Sequence, residues 1–142
     1  MKGLPSLIRL HKRELEEQQR ELGELEAVRN RFVGRIQDLD AEVAAEAAAA
    51  GDLPETGHVL GGYVQAALHR RRHLEVSVDE TLEKINQIRD QVAAAFQELK
   101  RFELADEMQR DRARKHLRRQ DRNKEDEMGI DMFRRHQDRG EG

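Results

Sequence analysis

The chain has 142 residues, of which 39% are charged, 37% hydrophobic and only 4% aromatic, with a net charge of -3. That leaves too little apolar material for a thick globular core and gives no support to binding driven by bulk attraction to nucleic acid. Cysteine is absent, which excludes a disulfide framework and a thiolate metal site.

Arg, Glu, Ala and Leu dominate, and there are only two prolines, the composition of a coiled coil or a long helix. Disorder is the rival at this charge content, and periodicity decides between them. The opening residues lack the apolar run of a signal peptide, and no stretch approaches the roughly 18 apolar residues of a membrane span. A cytosolic address is expected.

A seven-residue register begins at once. Ile8, Leu15, Leu22, Arg29, Ile36, Val43 and Ala50 hold one core position, and Leu4, His11, Gln18, Leu25, Phe32, Leu39 and Glu46 hold the other. These are the a and d positions of one helix, predicted over about residues 6–50, between Pro5 and Pro54. A turn is predicted over 51–58, where Gly51 can close the first helix, Pro54 stops it and Thr56 offers an N-cap for the next.

The second helix is predicted over about 59–128. Its register places Val64, Arg71, Val78, Ile85, Val92 and Leu99 at one core position, with Leu60, Ala67, Leu74, Thr81, Ile88, Ala95 and Phe102 at the other. Ser77 with Glu80 reads as a capping box where a kink or restart is an alternative, but neither glycine nor proline accompanies it, so a continuous helix is the preferred reading. A short turn makes the helices antiparallel, so facing residues have numbers of constant sum. A sum of 110 gives layers such as Ala50/Leu60, Val43/Ala67, Ile36/Leu74 and Leu22/Ile88. Arg29 would face Thr81 and Arg71 would face Leu39, each arginine snorkelling toward carboxylates such as Glu80, Glu83 or Asp40. The fold class is therefore all-α, a single coiled-coil domain built as a long two-helix antiparallel hairpin. The same heptads also fit an antiparallel dimer of opened hairpins.

The apolar repeat fails after Phe102, and the first helix runs out near Leu4, whose partner position is Asp106. The second helix is thus extended and unpaired beyond about residue 105, a polar segment that is marginal alone in water. Gly129 is the predicted stop, followed by a flexible tail over 129–142.

Catalytic equipment is missing: there is no phosphate-binding glycine loop, and neither Ser6 nor Ser77 sits in a nucleophile elbow. No enzymatic role and no cofactor are expected. His69 and His73 have zinc-ligand spacing, but Arg70, Arg71 and Arg72 separate them and no third ligand is apparent, so a solvated basic face is the preferred reading. Residues 108–124 form the one strongly basic segment, with Arg110, Arg112, Arg114, Lys115, Arg118, Arg119, Arg122 and Lys124. It holds no aromatic side chain to stack on bases, and an acidic patch follows, so protein docking is preferred over nucleic acid. In the tail, Ile130, Met132 and Phe133 form an apolar cluster suited to anchoring a partner.

The stretch 96–103, FQELKRFE, followed by the Arg-rich run, Asp126-Glu127 and then Met132-Phe133-Arg134-Arg135, resembles the C-terminal pattern of the FliJ family of flagellar type III export proteins. The opening segment 7–14, LIRLHKRE, is similar to that family's start. The resemblance implies an antiparallel coiled-coil stalk that inserts its free helical end into the ring of the flagellar export ATPase. It further implies promotion of ring assembly, contact with the cytoplasmic domain of the export-gate membrane protein, and binding of export chaperones at the cytoplasmic face of the inner membrane. Carried onto this sequence, the ring contacts are Arg110, Arg114, Lys115, Arg118, Arg119, Arg122, Met132 and Phe133. Tyr63 and Leu68 match the gate-contacting surface in part. The other functions weighed are an escort chaperone or adaptor for export substrates, and a structural coiled coil with no part in secretion.

Overall fold

The computed structural model describes residues 3–51 and 54–140. Two helices account for nearly all of them: α1, Leu4–Ala50, and α2, Pro54–Gly140. They pack against one another, and no strand occurs among the described residues. The chain divides into two compact units, His11–Gln97 and, separately, Met1–Leu10 with Glu98–Gly142.

The first unit contains the turn between the two helices. Gly51 carries a left-handed backbone, φ 58°, which only glycine adopts without a Cβ penalty, and it ends α1. Pro54 opens α2, in keeping with its fixed φ and missing N–H at a position where the N–H has no helical partner. Thr56, expected to cap α2, lies inside it instead, and its hydroxyl donates to the Ala50 carbonyl at 3.1 Å. It thereby satisfies a carbonyl left open at the end of α1. The expected turn over 51–58 is correspondingly shorter, and its Asp52 and Leu53 lie outside the described residues.

Burial follows the heptads. Every core position predicted in α2 from Leu60 to Phe102 is buried or half-buried, as is every one in α1 except Glu46. Glu46 keeps the register but stays exposed, because a lone carboxylate retains its water. Ile85 is fully enclosed, and Leu15, Leu39, Ala67 and Ile88 are buried with it in this unit. The pairing sum of 110 is visible where side chains from both helices line common clefts. Ala50 and Leu60 share one, and Leu39, Val43, Ala67 and Arg71 share another.

Polar core positions are accommodated individually. Arg71 turns its guanidinium out to Asp40, 3.0 Å away, and to Glu75. The hydrogen bond from Arg71 to Asp40, with the Asp40 charge, raises the guanidinium above its ordinary value. Arg89 reaches Glu26 at 3.1 Å from the opposite helix. Thr81 is buried because its hydroxyl donates to the Ser77 carbonyl at 2.7 Å, and Ser77 likewise donates to His73 at 3.0 Å. These back-bonds spend both hydroxyls inside an uninterrupted helix, so α2 runs through Ser77 and the less favoured alternative, a kink or restart there, is not taken. Gln18 Oε1 is buried with no hydrogen-bond partner, an imperfect layer in the seam.

In the second unit, Leu4 and Ile8 are buried on α1 and Leu99 on α2, with Phe102, Glu103 and Asp106 half-buried. Every described residue after Asp106 is exposed, yet α2 continues to Gly140. The stop expected at Gly129 and the tail over 129–142 are thus replaced by helix to residue 140. A glycine costs a helix about 1 kcal/mol relative to alanine, which does not end it unless the backbone also turns left-handed or proline follows. Neither condition holds here.

Candidate functional site

The segment that could meet a partner is built by subtraction. Residues 107–140 carry no heptad stripe, so α1 gives them nothing to bury against, and they stand as one exposed helix of about 50 Å at about 1.5 Å per residue. At the base of this segment Arg110 pairs with half-buried Asp106 at 3.2 Å, and Arg114 pairs with Asp111. Both are helix pairs three or four residues apart, the second with both partners exposed, of the kind that orient side chains more than they stabilise. Lys115, Arg118, Arg119 and Arg122 make no ion pair within the described residues, leaving four cations on the open helix.

Helical continuity changes the arrangement expected from sequence. Arg110, Arg114, Arg118 and Arg122 recur every fourth residue and form one ridge, with Lys115 and Arg119 beside it. Because α2 passes through Gly129, Met132 and Phe133 belong to the same helix and fall in the same half of its circumference at about 3.6 residues per turn. The two apolar side chains are 72% and 64% exposed. Between residues 110 and 124 the other half carries Ala113, His116, Gln120, Asn123 and Lys124, with Arg112 and Leu117 at its margins. The docking candidates therefore share one broad face, basic first and apolar toward the end.

Sequence periodicity passed over Leu104, Met108 and Leu117, which are exposed beside the arginines and add apolar area to the segment. Their signal was their failure to fit either heptad position. Tyr63 and Leu68 belong to the His11–Gln97 unit and line different clefts. Tyr63 borders the notch at the turn with Ala49, Val59 and Leu60, and Leu68 borders the cleft containing Asp40 and Arg71.

No helix among the described residues is long and apolar enough to cross a membrane, and no group of three or more metal-ligating side chains converges. The family model described as Flagellar FliJ protein matches residues 1–138. The chain belongs to the FliJ family. Similar relatives are the flagellar FliJ proteins of two Caulobacter vibrioides strains, NA1000 / CB15N and ATCC 19089 / CIP 103742 / CB 15, each 33% identical over 102 residues. That alignment covers 72% of this chain and 73% of each relative. No solved structure matches it. The FliJ match takes in α1 and α2 as far as residue 138, including the arginine ridge, Met132 and Phe133, so all but the last two residues of the exposed helix lie within the family's span.

Proposed function

We propose that this FliJ-family chain is a non-enzymatic component of flagellar type III protein export. It acts as a coiled-coil stalk whose exposed helix docks into the export ATPase ring, promotes ring assembly and couples it to the export gate at the cytoplasmic face of the inner membrane. The observation that carries the reading is the contrast within α2, in which a buried stripe ends at Asp106 while the helix itself runs on to Gly140. A polar helix of that length is weakly stable by itself, and a surrounding partner would supply the missing contacts. Guanidinium groups suit an acidic partner wall because their planar donors engage carboxylates bidentately. Arg118, Arg119 and Arg122 have no ion pair among the described residues to break before doing so.

Gate contact is assigned to the hairpin unit, through Tyr63 and Leu68. Export chaperones are further partners on this reading. Titration of the chain into the export ATPase of its own host, followed by sedimentation and ATP turnover, tests it. Hexamer formation and faster turnover are expected, and both are expected to vanish when residues 105–142 are deleted. Full stimulation by the truncated chain would overturn the assignment of the exposed helix.

The adaptor reading is favoured by a different observation, the exposed apolar side chains Leu104, Met108, Ile130, Met132 and Phe133. It predicts a stable complex with an export substrate or chaperone in the absence of the ATPase.

A further inference from the structure

We propose that His69 and His73 form a bidentate site for a borderline divalent transition-metal ion, Cu2+, Ni2+ or Zn2+, on the outward face of α2. The two residues are one helical turn apart, and both side chains are exposed. Their Nε2 atoms approach to 3.2 Å, with ring centroids 4.7 Å apart and the rings 89° to one another. An ion at about 2.0–2.1 Å from each nitrogen, the usual imidazole distance, would subtend roughly 100° between nitrogens spaced in this way. That lies between the octahedral and tetrahedral angles, so the pair already has the bite of a chelate without a change of backbone.

The three arginines that separate the histidines in sequence do not occupy the space between them. Arg71 lies on the far side of the helix, held by Asp40 and Glu75. Arg70 and Arg72 flank the pair at about 100° steps around the helix, and Ala66 and Gly62 precede it on the same side. Small residues there leave the ion's remaining positions open. Among the described residues no third ligand converges on the pair, so water completes the coordination and the site exchanges its ion readily. Without metal, the 3.2 Å approach is a hydrogen bond in which one ring donates through Nε2–H. Metal binding needs both Nε2 lone pairs. The donor ring moves its proton to Nδ1, and with both rings neutral no net proton is released.

The test uses the full chain in a non-chelating buffer, with CuCl2, NiCl2 and ZnCl2 titrated calorimetrically and helix melting followed by circular dichroism. One saturable equivalent is expected, tightest for Cu2+, with the melting midpoint raised because the ion binds the helical arrangement of the pair. His69→Ala and His73→Ala should each weaken binding about tenfold or more, since each removes the intramolecular second contact. Both are exposed helix positions where alanine keeps the fold, which the unliganded melting curve checks directly. His116→Ala and His136→Ala should leave binding unchanged. Equal binding by all four variants, or no saturable binding of Cu2+ by the parent chain at millimolar metal, would overturn the proposal and leave the pair as a hydrogen bond alone.

Discussion

Two stretches of α2 obey different rules. From Leu60 to Phe102 a residue at every third or fourth position turns inward and is buried or half-buried, whereas from residue 107 to Gly140 nothing is. Backbone hydrogen bonding is the same in both, so what separates them is burial of side chains and the order it imposes. The first stretch owes its stability to apolar area removed from water. The second rests on propensity and exposed pairs worth a few tenths of a kcal/mol each.

Substitutions can break or sharpen the contrast. The largest effect is expected at Ile85, the one fully enclosed large side chain among the described residues. Ile85→Ala should cost about 3 kcal/mol through lost transfer energy and a residual cavity. Urea denaturation should show this as a lower midpoint. A glycine pair comes next. Gly51→Ala places a Cβ on a left-handed residue and should cost about 1 kcal/mol of hairpin stability, although the Cβ itself would touch nothing. Gly129→Ala meets no neighbour either and sits in regular helix, so it should gain about 1 kcal/mol of local helix stability. That gain should appear as slower amide exchange around residue 129, with the cooperative melting midpoint unmoved. A midpoint shift there would join the two stretches into one folding unit.

Asp40→Asn should have the smallest effect. It removes one of the two exposed carboxylates that hold Arg71 and leaves Glu75, so melting should fall slightly at low salt and hardly at all at high salt. Arg71 titrates above its ordinary value, so its contribution is complete below that value and is lost only as pH rises through the folded value. Between mildly acidic and mildly alkaline pH, the Arg71 charge should therefore leave stability flat.

Much of the hairpin was legible from residue types alone. Both heptad registers survive from Leu4 to Phe102 because a period of seven apolar positions has one economical solution, a seam against another helix. The end of pairing near Asp106 was legible for the same reason. The arginine ridge was readable as a basic segment, and its separation from Met132 and Phe133 by a stop at Gly129 was not upheld. Glycine punctuates a helix only when the backbone turns left-handed there, as at Gly51, and residue type does not distinguish that from the helical conformation at Gly129. Thr56 and Ser77 left alternatives open for a related cause. Their hydroxyls can cap a helix start or bond back to a carbonyl, and which carbonyl lies within reach depends on where the helix begins.

By itself the sequence determined that this protein is helical, that its helices share a seven-residue seam, and where that seam ends. Periodicity of burial is encoded in side-chain polarity, residue by residue. Only the tertiary structure decided that α2 runs unbroken through Ser77 and Gly129, that Arg71 turns to Asp40, and that two histidines bring their Nε2 atoms to 3.2 Å. Those outcomes depend on distances between atoms and on backbone conformation, which the order of residue types constrains but does not fix.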